Sequence, residues 1–187
     1  MKTNIILVAD PKIGKSTVLL NFLSRYYTGS KSGILTTEIK KNDQRLGFEM
    51  EYFTHSDSTL IGGIIASIYL ESQISVSKYK VDVQEIEWIC LHCLQDVLKS
   101  EFLSYIDEIG EMQLHSTSFR KLVKARLDLP NICIATLSNV YHDDFTNAIR
   151  KRDDCVFIEV TKDNRDTLPQ SIHELYWKMK RGISFEV

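Results

Sequence analysis

The sequence predicts an α/β fold with a mainly parallel sheet flanked by helices. One observation is the apolar run at residues 5–8, which leads into a loop and then a helical pattern, as in phosphate-binding units. A second is the regular alternation of apolar strand-like runs with amphipathic helical patterns from Asp82 onward. Such alternation favours parallel strands joined by right-handed crossovers, and ligands then bind at the carboxyl ends of the strands.

Length and composition predict one globular domain spanning residues 1–187. The chain is 43% hydrophobic, which is enough to bury a core, and its formal net charge is −2. A nearly neutral chain lacks the positive field of a broad nucleic-acid-binding surface, so nucleic acid is an unfavoured partner. No apolar run approaches the roughly 18 residues of a membrane span. We therefore expect a cytoplasmic protein with no membrane partner.

Residues 9–17 form a candidate phosphate-binding loop. The backbone amides of such a loop and the N-terminus of the next helix converge on one point, where Lys15 adds positive charge and the Ser16 hydroxyl can ligate a magnesium ion. We therefore predict that a nucleoside phosphate binds to the loop residues Ala9, Asp10, Pro11, Lys12, Ile13, Gly14, Lys15, Ser16 and Thr17.

The loop departs from the full motif at its entrance. The motif has glycine at both ends, whereas Ala9 takes the first place and Lys12 takes a place that is often small. Ala9 can hold the turn only if its φ is negative, because a positive φ favours glycine. We expect nucleotide binding that is retained but weakened.

The first half of the chain changes from helical to β character. We predict a helix over residues 15–27, a flexible connection over residues 29–33, and then an antiparallel meander inserted early in the domain. The meander comprises β-rich runs at residues 34–39, 46–53 and 58–65, joined by turns at 42–43 and 55–57. Ile74, Val76 and Tyr79 suggest one short edge strand after it.

The second half alternates helices and strands. Predicted helices cover residues 82–99, 116–127, 143–151 and 165–180, and predicted strands cover residues 102–107, 131–136 and 155–160. Pro169 stands at the opening of the last helix, where a proline is tolerated because the missing N–H has no partner within the helix. Helices on both faces of the strands predict a sheet that is buried on both sides.

Four cysteines invite a metal interpretation, because Cys90 and Cys93 are spaced as zinc ligands often are. That pair lies in a helical pattern, however, and Cys133 and Cys155 lie in strand-like apolar runs. Cysteine packs as a small hydrophobe, so we predict buried reduced thiols and not a zinc site or a disulfide.

An acidic pair ends the strand predicted at residues 102–107. Asp107 at that point can hold the water shell of a magnesium ion, and Glu108 can polarise an attacking water. Solvated acids at a strand end are the alternative, but the preceding phosphate loop favours the functional interpretation. Ser16 and Asp107 are thus the candidate metal-site residues, and Lys15 and Glu108 are the candidate catalytic residues.

Several motifs together resemble one family. Residues 9–17, the segment Asp107–Gly110 and the segment Asn164–Pro169 look like those of the THEP-type nucleoside-triphosphatases, also called cancer-related nucleoside-triphosphatases. The resemblance implies a P-loop domain with a RecA-like sheet. It also implies magnesium-dependent hydrolysis of nucleoside triphosphates, ATP and GTP among them, to diphosphates.

The same resemblance implies roles for individual residues. Lys15 would hold the β- and γ-phosphates, Ser16 the magnesium ion and Asp107 its water shell. Glu108 would be the general base. Asn164 and Arg165 follow the last predicted strand, in a region that meets the nucleotide base in related folds.

The resemblance is weaker after the strand at residues 131–136. Family members tend to carry basic residues there, whereas this chain has residues 137–141 without a cation. Missing cations would leave the developing phosphoryl charge less compensated, which predicts slow hydrolysis. Two alternatives share the fold and the loop: a nucleotide or small-molecule kinase, and a nucleotide-binding switch with little turnover.

Overall fold

The computed structural model describes residues 2–53, 60–98 and 102–183. The strands are β1 (Asn4–Ala9), β2 (Lys31–Lys41), β3 (Gln44–Phe53), β4 (Leu60–Ser67), β5 (Ser75–Val76), β6 (Tyr79–Val81), β7 (Leu103–Ile109), β8 (Cys133–Ser138) and β9 (Cys155–Glu159). The helices are α1 (Lys15–Asn21), α2 (Val83–Val97), α3 (Glu111–Leu114), α4 (Thr117–Leu127), α5 (Asp144–Arg150) and α6 (Leu168–Lys180). In these ranges, no helix combines the length and the apolar character needed to cross a membrane.

The strands form a nine-stranded mixed sheet in the order β5-β6-β4-β3-β2-β7-β8-β1-β9. Strands β2, β7, β8, β1 and β9 are parallel. Strands β3, β4, β6 and β5 continue the sheet by antiparallel pairing. The prediction of a mainly parallel sheet is corrected accordingly: the early meander extends the sheet because the outer edge of β2 needs hydrogen-bond partners.

Several predicted boundaries also change. The first helix passes at its end into a π-helical turn over Phe22–Tyr26. β2 begins at Lys31, inside the predicted flexible connection, because its first residues pair with β7. The predicted single edge strand is a hairpin of β5 and β6 with Ser77 at a φ of 54°. The predicted turn at 55–57 lies outside the described residues.

Helices cover both faces of the sheet, as the alternating side chains of β1 show. Ile6 belongs to the buried cluster that includes side chains of α2 and α4. Ile5 and Leu7 belong to the opposite cluster, which includes side chains of α1 and α6. Successive residues of a strand point to opposite faces, so a strand buried on both sides reads as a continuous apolar run. This packing brings the carboxyl ends of the parallel strands to one edge of the sheet.

The four cysteines are buried thiols, as predicted. Cys90 and Cys93 lie on the inner face of α2, where the Cys93 thiol donates to the Cys90 carbonyl oxygen over 3.6 Å. Burial raises the pKa of Cys155 to about 12 and raises the pKa of Cys90 and of Cys133 as well. These thiols are therefore protonated at neutral pH and pack as apolar side chains.

Candidate active site

The candidate phosphate loop connects β1 to α1 at the carboxyl edge of the parallel strands. Ala9 is the extended last residue of β1, so the loop entrance needs no glycine. Gly14 stands just before the first residue of α1 with a φ of 116°, a conformation that other residues rarely adopt. Lys12 also has a positive φ, 68°. The strain of the loop therefore lies at Lys12 and not at Ala9.

Lys15 is buried at the start of α1, with 6% of its side chain exposed. Its ammonium nitrogen donates to the carbonyl oxygen of Ala9 over 2.9 Å and to that of Asp10 over 3.4 Å. The same nitrogen lies 3.8 Å from a carboxylate oxygen of Glu108. The structure thus brings together the two candidate catalytic residues, which are distant in the sequence.

Asp107 lies at the carboxyl end of β7, beside the loop, and is 1% exposed. Its Oδ1 accepts hydrogen bonds from the Ser16 hydroxyl at 3.0 Å and from the Thr136 hydroxyl at 2.5 Å. Burial raises the pKa of Asp107 to about 6, although the two hydroxyl donors act in the opposite direction. Ser16 and Asp107, the candidate metal-site residues, are therefore in direct contact.

The donor atoms at this point suit a magnesium ion. Magnesium prefers oxygen ligands and is commonly held by one or two carboxylates together with substrate phosphates and water. The Ser16 hydroxyl and the Asp107 carboxylate supply such oxygens next to the phosphate loop. A cage of three or more His, Cys, Asp or Glu side chains does not occur in the described part of the chain, and a site completed by phosphates does not require one.

Glu108 follows Asp107 but points toward solvent, with 40% of its side chain exposed. Gly110 leaves room for it, because a side-chain carbon there would lie 2.9 Å from Glu108 Oε1 and 3.1 Å from Gln113 Oε1. Gln113 is buried and donates from Nε2 to the Thr36 hydroxyl over 3.0 Å. Glu108 is thus a carboxylate with solvent access, next to Gly110 and Gln113.

Two of these neighbours, Thr136 and Gln113, were not identified as site residues from the sequence. Thr136 lies on β8, which stands between β1 and β7, and its hydroxyl is fully buried against Asp107. A polar residue inside an otherwise apolar strand was the available signal. For Gln113 the signal was weaker, because the short helix α3 has no clear periodic pattern.

Asn164 and Arg165, the predicted site residues in the loop after β9, form hydrogen bonds with different parts of the protein. Both polar side-chain atoms of Asn164 bond within that loop: Oδ1 accepts from the Thr161 amide at 2.8 Å, and Nδ2 donates to the Glu159 carbonyl oxygen at 2.9 Å. Arg165 reaches the phosphate loop, where its guanidinium donates to the Ile13 carbonyl oxygen over 3.3 Å. Of the two, Arg165 is therefore the one in contact with the loop.

A cavity of about 190 Å³ opens beside the phosphate loop, on the β9 side. Its wall includes Ile13 from the loop, Asn139 after β8, and Glu159, Thr161 and Lys162 at the end of β9. Asn139 also donates from Nδ2 to a carboxylate oxygen of Asp10 over 3.2 Å. The last four wall residues were not among the predicted site residues, although each lies at or after the carboxyl end of a parallel strand.

Comparison with known proteins gives relatives that align over nearly the whole chain. The nucleoside-triphosphatase THEP1 of Thermotoga maritima is 33% identical over 180 residues, which are 95% of this chain and 97% of that protein. The nucleoside-triphosphatase THEP1 of Methanosarcina barkeri is 30% identical over 179 residues, which are 94% of this chain and 98% of that protein.

Two solved structures share the fold. The crystal structure of THEP1 from Aquifex aeolicus has a TM-score of 0.78 and 28% identity, with 93% of this chain and 99% of that chain covered. The solution structure of a human cancer-related nucleoside triphosphatase has a TM-score of 0.73 and 25% identity, with coverage of 92% and 96%. The family model described as NTPase matches residues 4–173. The chain therefore belongs to this NTPase family, which confirms the resemblance inferred from its phosphate loop and acidic strand end.

Proposed function

We propose that this protein hydrolyses nucleoside triphosphates, ATP and GTP among them, to nucleoside diphosphates and inorganic phosphate with a magnesium ion. The observation that carries the proposal is the meeting of four groups at one sheet edge: the Lys15 ammonium, the Ser16 hydroxyl and the carboxylates of Asp107 and Glu108. Relatives that are named nucleoside-triphosphatases and align over nearly the whole chain support it.

Lys15 would bind the β- and γ-phosphates together with the loop amides. Its ammonium group now bonds to two neutral carbonyl oxygens of the loop. Phosphate oxygens are charged, and charge-assisted hydrogen bonds are about twice as strong as neutral ones. A bound triphosphate would therefore draw the ammonium away from the carbonyls and from Glu108. The Glu108 carboxylate would then be available to a water molecule.

Ser16 and Asp107 would hold the magnesium ion, Ser16 through its hydroxyl and Asp107 through the ion's water shell. When bound, the ion neutralises charge on the phosphate oxygens during phosphoryl transfer. The Thr136 hydroxyl on β8 orients Asp107 for this role, because it donates a hydrogen bond to Oδ1. This bond does not involve any residue of the phosphate loop. A protein group that is oriented in advance does not have to reorganise during the reaction.

Glu108 would be the general base that takes a proton from the attacking water. Its partial exposure lets a water reach it, and Gly110 keeps the space beside its carboxylate open. Thr17, exposed at the first turn of α1, would line the phosphate pocket with Gly14. Arg165 would supply positive charge next to the loop.

The strand order of the parallel half supports a RecA-like core for this function. The loop strand β1 and the acidic strand β7 are separated by β8. A single domain over residues 1–187 and a cytoplasmic location stay predictions.

Substitution of Glu108 tests the proposal. We expect Glu108→Gln to lower kcat for ATP about 10²- to 10⁴-fold, as loss of a general base typically does, while the Kd for ATP stays near the parental value. Phosphate release from ATP and GTP, without any acceptor, is the measurement. Glu111→Gln, a neighbouring acid outside the site, is the control and should keep full activity. Parental turnover by Glu108→Gln would reject Glu108 as the base, and formation of ADP that requires an acceptor and releases no inorganic phosphate would indicate a kinase.

A further inference from the structure

We propose that Gln113 orients the attacking water together with Glu108, and that Thr36 holds the Gln113 side chain in the orientation that this requires. The inference rests on the proposed function, because it assigns a second contact to the water that Glu108 would deprotonate. The observation that carries it is a convergence at Gly110. A side-chain carbon there would lie 2.9 Å from Glu108 Oε1 and 3.1 Å from Gln113 Oε1. Both oxygens therefore face the same space beside Gly110.

The glycine at position 110 is explained by this space and not by the backbone. Gly110 has a φ of −122° and a ψ of 170°, an extended conformation that any residue adopts. Nonbonded carbon atoms pack at about 3.5–4.0 Å, so a methyl group at this position would crowd both oxygens and turn the Glu108 carboxylate away. The missing side chain of Gly110 lets the oxygens of Glu108 and Gln113 converge.

The Gln113 side chain is held at its amide nitrogen. Gln113 is 2% exposed, and its Nε2 donates to the Thr36 hydroxyl over 3.0 Å. Thr36 follows Leu35, whose register partner on β7 is Asp107, so this anchor stands at the edge of the sheet where the acidic pair ends β7. An amide has donors only on its nitrogen and acceptors only on its oxygen. With Nε2 bonded to Thr36, Gln113 presents an acceptor to the space beside Gly110.

The backbone on both sides of Gln113 is also restrained. The Gln113 carbonyl oxygen accepts from the Ser116 amide over 3.0 Å, and the Leu114 amide donates to the Gly110 carbonyl oxygen over 3.0 Å. The Arg120 guanidinium donates to the Leu114 carbonyl oxygen over 2.6 Å. A group that is fixed in advance does not have to reorganise during the reaction. Gln113 is therefore an acceptor whose position is set before a nucleotide binds.

Two acceptors that face one space can fix the orientation of a water molecule, because a water has two hydrogens to donate. One hydrogen would bond to Glu108 and the other to Gln113 Oε1, which leaves the lone pairs of the water oxygen free for the γ-phosphate. The water oxygen then bonds to the γ-phosphorus, the bond from that phosphorus to the bridging oxygen breaks, and the diphosphate leaves with the electron pair. Glu108 takes one proton, and the other stays on the new phosphate.

Gln113→Leu removes the acceptor and keeps a buried apolar side chain. We expect kcat for ATP to fall about 10- to 100-fold, since a misplacement of about 1 Å can cost about 100-fold, while the Kd for ADP with magnesium stays at the parental value. Aluminium fluoride with ADP and magnesium mimics the transferred phosphoryl group, and its complex should weaken by a similar factor. Gln84→Leu, at an exposed glutamine on α2, is the control and should leave all three values unchanged.

Thr36 is a positioning residue, and two variants separate this role from a structural one. Thr36→Val keeps the β-branched shape without the hydroxyl. We expect kcat to fall about 3- to 10-fold, the range for one neutral hydrogen bond, with an unchanged Kd for ADP. Thr36→Ser keeps the hydroxyl and should restore kcat to near the parental value.

Gly110→Ala tests the shared space without changing either polar side chain. The extended backbone accepts alanine, so the expected effect comes from the added methyl group alone. We expect kcat to fall about 10-fold or more, with an unchanged Kd for ADP. Steady-state phosphate release and calorimetric titration measure the two quantities.

Three results would overturn the role of Gln113. Parental kcat in Gln113→Leu would show that the water is oriented without it. A loss of ADP affinity as large as the loss of kcat would show that Gln113 supports the nucleotide site as a whole. A kcat in Thr36→Ser as low as in Thr36→Val would show that the hydroxyl does not position the amide. If the parental protein itself releases no phosphate from ATP, the proposed function fails together with this role, whereas the three results above reject the role alone.

Discussion

The parallel and antiparallel halves of the sheet place their charged side chains in opposite environments. In the parallel half, Lys15 and Asp107 are withdrawn from water at the strand ends, with 6% and 1% exposure. At the far end of β2, which pairs only with the antiparallel strand β3, Glu38 pairs with Lys40 and Arg45 at the surface. Burying a charge costs free energy unless it is paired and hydrogen-bonded. The parallel half therefore bears a free-energy cost of charge burial that the surface pairs of the antiparallel half do not.

The difference follows from strand direction. Parallel strands bring their carboxyl ends to a single edge, where the N-terminus of α1 also lies, so polar groups from β1, β7 and β8 collect at one point. Antiparallel neighbours alternate their ends, so the described residues of that half do not gather such groups at one edge. We therefore expect substitutions to change nucleotide binding in the parallel half and only stability in the antiparallel half.

Replacing Lys15 should produce the largest effect. We expect Lys15→Ala to weaken ATP binding by about 100-fold or more, because it removes charge-assisted bonds to two phosphates. Lys40→Ala, at the end of β2 that pairs antiparallel with β3, removes a lysine of equal charge and should leave the Kd unchanged. Calorimetric titration of both variants with ATP and magnesium checks this, and an unchanged Kd for Lys15→Ala would reject the loop assignment.

Replacing Asp107 should raise the stability of the fold and weaken nucleotide binding. Its folded-state pKa of about 6 lies above the ordinary value of 3.8, so the folded state binds more protons than the unfolded state between these values. Without metal, the free energy of unfolding therefore falls as pH rises from about 4 to 6. Asp107→Asn removes the buried charge and should remove this pH dependence.

At pH 7 without metal, we expect Asp107→Asn to be more stable than the parental protein by on the order of 1–3 kcal/mol. Magnesium-dependent ATP binding should fall together with turnover, because the amide is a poorer partner for the ion. Urea unfolding at pH 4 and pH 7 checks the expected change in stability, and ATP titration checks the expected loss of binding. A parental pH slope in Asp107→Asn would mean that another group titrates.

Relieving the positive φ of Lys12 should have a smaller effect. A residue other than glycine in the left-handed region costs about 1–2 kcal/mol, and Lys12→Gly should recover about 1 kcal/mol of that after its extra chain entropy. Lys12→Ala removes the same side chain but keeps the strain, so it is the matched control. Urea unfolding should rank Lys12→Gly above Lys12→Ala, and equal stability would argue against strain at this residue.

Arg45 in the antiparallel half should matter least. Its guanidinium pairs with Glu38, donates to the Tyr79 hydroxyl over 2.9 Å and lies over the rings of Phe48 and Tyr79. Partly exposed contacts of this kind contribute about 0.5–1 kcal/mol each at most. We expect Arg45→Ala to lower the free energy of unfolding by about 1 kcal/mol and to leave ATP binding unchanged. A changed Kd would show that the two halves are coupled.

Short-range patterns in the sequence were sufficient for the main features of the site. Each of these patterns spans only a few residues: the apolar run at residues 5–8, the glycine and lysine after it, and the acids at the end of β7. The same holds for Pro169, which marks the opening of the last helix. The α/β class and the family could therefore be predicted without a structure, and so could the proposal that loop residues 9–17 and the pair Asp107 and Glu108 form the site.

Features that depend on pairing between distant parts of the chain could not be predicted from these patterns. The sheet is mixed because the meander pairs with the outer edge of β2. Strand β2 begins earlier than predicted because its first residues pair with β7, about seventy residues away in the sequence. The Thr136 bond to Asp107 and the contact of Arg165 with Ile13 join residues 29 and 152 positions apart. The cavity wall likewise combines the loop with the ends of β8 and β9. Periodicity describes each element alone, whereas these contacts exist only once the strand order has placed the ends of the strands together.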